Sequence, residues 1–283
     1  MTGVALAAIG VTLVGMLLGL DRLAGKVVKP LPLPVDRTVP ELGIEYEDLT
    51  IRSGDHDLSA WLLRPSQAQP FEPLVLLAHG WGANYGTVLR LAEPLADVGH
   101  DVLLFDVRGH GRNERVPYVT IRHFRDDLMA VARYAARRFP DRQLVLIGHS
   151  LGGAAGVLAA AEGAPIDGLV LIATPSDIMR ITAEFLTDKG YPGRLIVVGL
   201  RPFLWRRMRS SFRSFTPGRR IRELDLPILM IQPEHDERVS RDHADRLAEA
   251  AGIEYHLIAD HDHIDVLSAV ETVSLIEDFL EEV

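Results

Sequence analysis

Serine, aspartate and histidine occur in this chain, in that order, at three separated points where an apolar run ends. The first is Gly148-His149-Ser150-Leu151-Gly152, between the apolar run Gln143 to Ile147 and a helix-forming run from Leu151 to Glu162. A serine between glycines at a strand-to-helix junction is held in a strained turn with its hydroxyl exposed, and bulky residues two positions away would collide. The same turn directs the Leu151 N–H to a helix start, where a developing oxyanion is stabilised. The plainer reading, a Gly-rich turn with a serine helix cap, is disfavoured by the strand before it and the helix after it. His149 is expected to point away from the pocket, since neighbouring side chains at such a turn diverge.

A serine hydroxyl needs a base to take its proton and a third group to orient that base. Asp225, Glu234, Asp236 and Glu237 crowd the run that ends at Val239. Asp225 precedes the strand and lies at its wrong end, so Asp236 is the expected acid, with Glu234 as the fallback. The base comes from Ala259-Asp260-His261-Asp262-His263, where His263 leaves a full loop for reach and is preferred to His261. After Leu74 to Ala78, the run His79-Gly80-Trp81-Gly82 offers the Trp81 N–H as the second oxyanion donor beside Leu151. Two histidines one residue apart on a loop lack further ligands, so no metal and no cofactor are expected.

The order serine, acid, histidine fits the α/β-hydrolase arrangement. The chain resembles that superfamily, in the serine-hydrolase branch that holds lysophospholipase-like, monoacylglycerol-lipase-like and serine aminopeptidase-like enzymes. The resemblance rests on His79-Gly80-Trp81-Gly82, Asp106-Val107-Arg108-Gly109-His110-Gly111, Gly148 to Gly153, Asp236 with Val239, and His263 to Asp265. It implies Ser150 as nucleophile, Asp236 as acid, His263 as base, and Trp81 and Leu151 as oxyanion donors. Asn113 stands where relatives often carry serine. A serine nucleophile argues against the dehalogenases and epoxide hydrolases of this fold, which attack with aspartate.

Strand-like runs alternating with helical ones place these residues at the carboxyl ends of a mostly parallel sheet with helices on both faces. Residues 43–283 are expected to form this domain, beginning with a hairpin joined through Ser53-Gly54-Asp55. A helical lid is expected at about 175–225. The lid is apolar, and Tyr191, Phe203 and Trp205, with His79, are the expected substrate contacts. It is also rich in arginine, with no acid between Asp188 and Glu223. That reversal suggests a surface resting on anionic lipid head groups, against the plainer reading of arginines paired with acids elsewhere.

No charge occurs from Thr2 to Leu20, roughly 28 Å as a helix. Basic residues follow it, so residues 1–22 read as a transmembrane helix with the catalytic part on the cytoplasmic side. Residues 23–42 read as a Pro-rich linker. The net charge of −9 argues against nucleic-acid binding, and the absence of cysteine excludes disulfides and a thiolate nucleophile. The expected activity is hydrolysis of small-molecule medium or long acyl esters. A peptidase, amidase or thioesterase with the same triad, and a silent membrane-tethered binding protein, are the alternatives.

Overall fold

The protein was studied as a computed structural model, which describes residues 2–30, 33–66, 72–209 and 212–283. Helix α1 (Thr2–Val27) is followed by β1 (Tyr46–Ser53), β2 (His56–Leu63), β3 (Leu74–Ala78), α2 (Tyr85–Asp97), β4 (Val102–Phe105) and α3 (Ile121–Arg138). Then come β5 (Leu144–His149), α4 (Leu151–Ala161), β6 (Gly168–Ile172), α5 (Ile178–Asp188), α6 (Gly193–Met208) and the one-turn α7 (Pro217–Arg220). The chain ends with β7 (Ile228–Pro233), α8 (Arg241–Ala251), β8 (His256–Ile258) and α9 (Val270–Glu282).

The strands form one sheet in the order β1-β2-β4-β3-β5-β6-β7-β8. Strand β2 pairs antiparallel with both β1 and β4, and the remaining pairs are parallel. The short continuous apolar runs explain this arrangement. In β3, Leu74, Leu76 and Ala78 face a core shared with α3 and α4, while Val75 and Leu77 face one shared with α2 and α9. A strand covered on both faces has no polar side, which is the signature of a buried parallel sheet.

Local chemistry fixes several boundaries. The Asn84 side chain accepts from the Gly86 N–H at 2.9 Å and starts α2. Thr120 starts α3, where its N–H donates to His123 Nδ1 at 3.0 Å. Each cap sets the first turn directly before a buried residue, Tyr85 in α2 and Ile121 in α3.

The expected transmembrane helix is corrected: among the described residues no helix is long and apolar enough to cross a membrane. The expected single-pass membrane location falls with it. Helix α1 extends through Asp21, Arg22 and Lys26, and its far end docks on α6. Ala24 is fully buried against Leu200 and Leu204, with Leu20, Val27 and Phe203 packed around them. Asp21 accepts from Arg206 and Arg207, both at 2.8 Å, while Val11, Leu13 and Val14 remain open to solvent. Of the expected Pro-rich linker, residues 31 and 32 lie outside the described residues. The rest runs alongside the domain rather than away from it. The Asn84 side chain donates to the carbonyls of Leu33 and Pro34, both at 3.1 Å, and Arg37 pairs with Glu93.

Candidate active site

Ser150 sits between β5 and α4 with φ 54° and ψ −121°, a conformation that L-residues rarely adopt. Its N–H donates to the Ile172 carbonyl at 2.8 Å, so the neighbouring strand holds the turn. Such a backbone costs on the order of 1–3 kcal/mol and persists because its surroundings impose it. Those surroundings leave no room for side chains. A Cβ on Gly148 would overlap Gly153, and one on Gly80 would lie 2.9 Å from Ser150 Cβ. The Gly80 contact brings the turn at residues 79–82 onto the serine. Leu151, the first residue of α4, is buried behind it.

Asp236 and His263 come together at the carboxyl end of β7. His263 Nδ1 donates to Asp236 Oδ2 at 2.8 Å, and both side chains are nearly fully buried. The other carboxylate oxygen accepts from the Arg238 and Val239 N–H groups at 2.8 and 2.7 Å. These donors anchor the acid independently of the histidine. His261 is directed elsewhere: its Nδ1 donates to the Ala259 carbonyl at 2.7 Å. Glu234 is exposed and accepts from the Asp260 N–H at 3.2 Å.

His149, next to Ser150 in the chain, reaches the backbone of His263, a contact its position in the sequence did not announce. It is buried, and its Nε2 donates to the His263 carbonyl at 2.7 Å. The two imidazole rings lie 4.7 Å apart. Burial first, and then the neighbouring His263 ring, push the His149 pKa well below the ordinary value, which favours the neutral ring. The residue next to Ser150 thus holds the backbone of His263.

His79 departs from expectation. Instead of lining a substrate pocket it is fully buried, and both ring nitrogens serve the backbone. Nδ1 donates to the Gly80 carbonyl at 2.8 Å and Nε2 accepts from the Val107 N–H at 3.0 Å. Burial lowers its pKa to about 4, which keeps the ring neutral and able to accept. Its role is to fix the turn that carries Trp81. Asp106 supports the same region by accepting from the Tyr85 and Arg112 N–H groups, each at 2.8 Å, and burial raises its pKa to about 6. The Trp81 ring packs against His110 and Phe124, which also touch each other.

The segment between β6 and β7 is fastened at both ends. Ser176 Oγ lies 2.9 Å from His243 Nδ1, and His243 Nε2 lies 2.9 Å from Glu184 on α5. Arg180 reaches both Glu184 and Asp242, tying α5 to α8. Of the arginines expected to meet lipid, Arg206 and Arg207 are bound to Asp21, and Arg220 to Glu223 and the Ala161 carbonyl. Among the expected substrate contacts, Tyr191 and Trp205 stand open to solvent, and Phe203 is packed against α1. A metal would find Glu234, His235 and Asp260 close together, but that cluster is fully at the surface.

Residues 69–189 match the family described as Serine aminopeptidase, S33. The monoglyceride lipase of Rattus norvegicus is 33% identical over 141 residues, 48% of this chain and 46% of that protein. The pimeloyl-[acyl-carrier protein] methyl ester esterase of Chromobacterium violaceum is 38% identical over 121 residues, 42% of this chain and 41% of that protein. The chain spans about half the length of these curated relatives. The Pyrococcus furiosus esterase Pf2001 superposes with a TM-score of 0.68 at 20% identity, over 89% of this chain and 98% of that one. At that identity the likeness shows the fold.

Proposed function

We propose that this chain, which belongs to the α/β-hydrolase superfamily of serine hydrolases, cleaves carboxylic esters through an acyl-enzyme on Ser150. The observation that carries the reading is the buried 2.8 Å pair of His263 and Asp236, held by His149 beside a serine whose φ is 54°. In this reaction His263 Nε2 takes the Ser150 proton as the hydroxyl oxygen attacks the acyl carbon. Asp236 holds the opposite nitrogen protonated and offsets the positive charge that forms on the ring. The tetrahedral oxyanion meets the N–H groups of Trp81 and Leu151, the latter at the positive end of α4. His263 returns the proton to the departing alcohol, and water then repeats the sequence on the acyl-enzyme.

Small-molecule acyl esters are the substrate class, supported by the esterase and lipase relatives. Amide cleavage is the second reading, favoured by the aminopeptidase description of the matching family. Recognition of a peptide amine calls for a free carboxylate above the site. Glu184 on α5 is instead committed to Arg180 and His243, which favours the ester.

Purified protein tested with p-nitrophenyl esters of graded acyl length and with a fluorophosphonate probe decides the matter. Ester turnover and covalent labelling, both abolished by Ser150→Ala, are expected. Unlabelled Ser150 with no turnover removes the enzyme reading, and faster cleavage of aminoacyl-anilides than of esters transfers it to the amidase.

A further inference from the structure

A second concave site lies over the β1–β2 edge of the sheet, among the turn at Gly54, the outer face of α3 and the end of α6. Its volume is about 750 Å³, within the range of small-ligand pockets. None of Ser150, Asp236, His263, Trp81 or Leu151 lines it. Its walls are mostly polar, which suits a charged ligand better than an acyl chain.

Charge is its distinguishing property. Eight arginines line the cavity against three carboxylates, Asp55, Asp126 and Glu162, in a chain whose net charge is −9. Part of this charge is structural. Arg108 is locked onto the fully buried Asp127 with Ser53 and forms a rigid floor. Arg125 is paired with Asp126 and Glu162.

The rim differs from the floor. Arg133 and Arg137 project from successive turns of α3, are exposed, and have no hydrogen-bond or ion-pair partner among the described residues. Like charges four residues apart on a helix disfavour it slightly, so this arrangement is not explained by the stability of α3. Arg209, in the left-handed conformation at the end of α6 (φ 52°), adds an exposed guanidinium from the opposite side. Guanidinium groups converging on a concave polar surface focus a positive potential there and match tetrahedral oxyanions with paired N–H donors.

We propose that this cavity binds a phosphate-bearing anion, either a free oligophosphate or the phosphate of a lipid headgroup, at a site separate from the ester-cleaving one. Arg133, Arg137 and Arg209 supply the ligand-facing donors above the fixed floor of Arg108.

The full-length protein is titrated calorimetrically with inorganic pyrophosphate at constant ionic strength, beside an Arg133→Gln/Arg137→Gln variant. Saturable one-to-one binding is expected, weakened about tenfold or more in the variant. The variant's melting temperature and ester turnover should match the parent, since both side chains are exposed and unpartnered. A parallel titration with dihexanoyl phosphatidic acid, below its micellar concentration, separates the sources. Tighter binding than pyrophosphate assigns a lipid headgroup, and the reverse order assigns a free phosphate. Absence of saturable binding by both probes, or equal affinity in parent and variant, overturns the proposal.

Discussion

His149 donates a 2.7 Å hydrogen bond to the backbone carbonyl of His263, a residue 114 positions away in the chain. The neighbour of Ser150 therefore sets where the His263 side chain begins, and on the proposed mechanism it positions the base relative to the nucleophile. Replacing it with phenylalanine preserves bulk and removes the donor. The expected result for His149→Phe is a fall in kcat of about tenfold or more with KM little changed, because misplacement of a catalytic group acts on the transition state. His149→Gln, which can still donate, should recover part of the loss.

Asp236 holds the protonated nitrogen of His263 and is itself held by two backbone N–H groups. In Asp236→Asn one amide oxygen can serve those donors while the amide nitrogen faces the imidazole and selects the wrong tautomer. Steady-state kinetics should show kcat reduced by about 10,000-fold with the fold retained by circular dichroism. A variant within tenfold of the parent would point to another carboxylate.

Gly80 touches Ser150 so closely that a single methyl group would press on the serine Cβ. Gly80→Ala should fold, since the turn is local, yet lose about 100-fold or more in kcat. The turn carrying Trp81 must retreat from the elbow, at a cost comparable to that of losing one oxyanion donor. Fluorophosphonate labelling would slow in parallel.

Asp127 is fully buried and accepts from the Ser53 hydroxyl, the Arg108 N–H and the Arg108 guanidinium. Removing one partner of such a pair leaves a charge without compensation. Asp127→Ala should cost on the order of 3–5 kcal/mol of stability, read from the urea midpoint.

Stability should fall as the solution is acidified below neutrality. His79, His110 and His123 have pKa values lowered to about 4 from 6.5, chiefly by burial. The unfolded chain binds protons at these rings that the folded chain refuses, so their contribution is complete above about pH 6.5 and is lost as the pH falls toward 4. Each ring accounts for up to about 3 kcal/mol. Asp106 acts in the opposite sense. Its pKa is raised to about 6, so its burial is tolerated best below pH 3.8 and costs most above 6. Three rings outweigh one carboxyl, and urea midpoints at pH 7.5 and 5.0 should show a lower midpoint in acid. A higher midpoint at pH 5.0 would contradict this balance.

The parts of the candidate site that were legible in the sequence are those written in short segments. Ser150 between glycines, Asp236 at the end of one strand and His263 after the next each carry a local signature tied to a strand end. What stayed hidden depends on where side chains point after the chain has folded. His79 sits in a conspicuous motif, yet its ring turns inward to bind the Gly80 carbonyl and the Val107 N–H. Ser176, Glu184 and His243 form a connected chain across 67 residues that no spacing rule foretells. Apolar composition misled at the N-terminus. The uncharged run from Thr2 to Leu20 reads like a span, but the following turns dock on α6 through Ala24 and Asp21.

That docking also fixes the segment between β6 and β7 against the rest of the domain. This segment is riveted at its root by the Ser176–His243–Glu184 chain and at the end of α6 by Asp21 gripping Arg206 and Arg207. Among the described residues, the corner at residues 189–192, with Gly190 at its bend (φ 81°), is held by backbone hydrogen bonds and has no side-chain hydrogen bond or ion pair to the rest of the domain. The segment is therefore held as one piece with α1 and α8, and a displacement of it would bend the chain at that one corner.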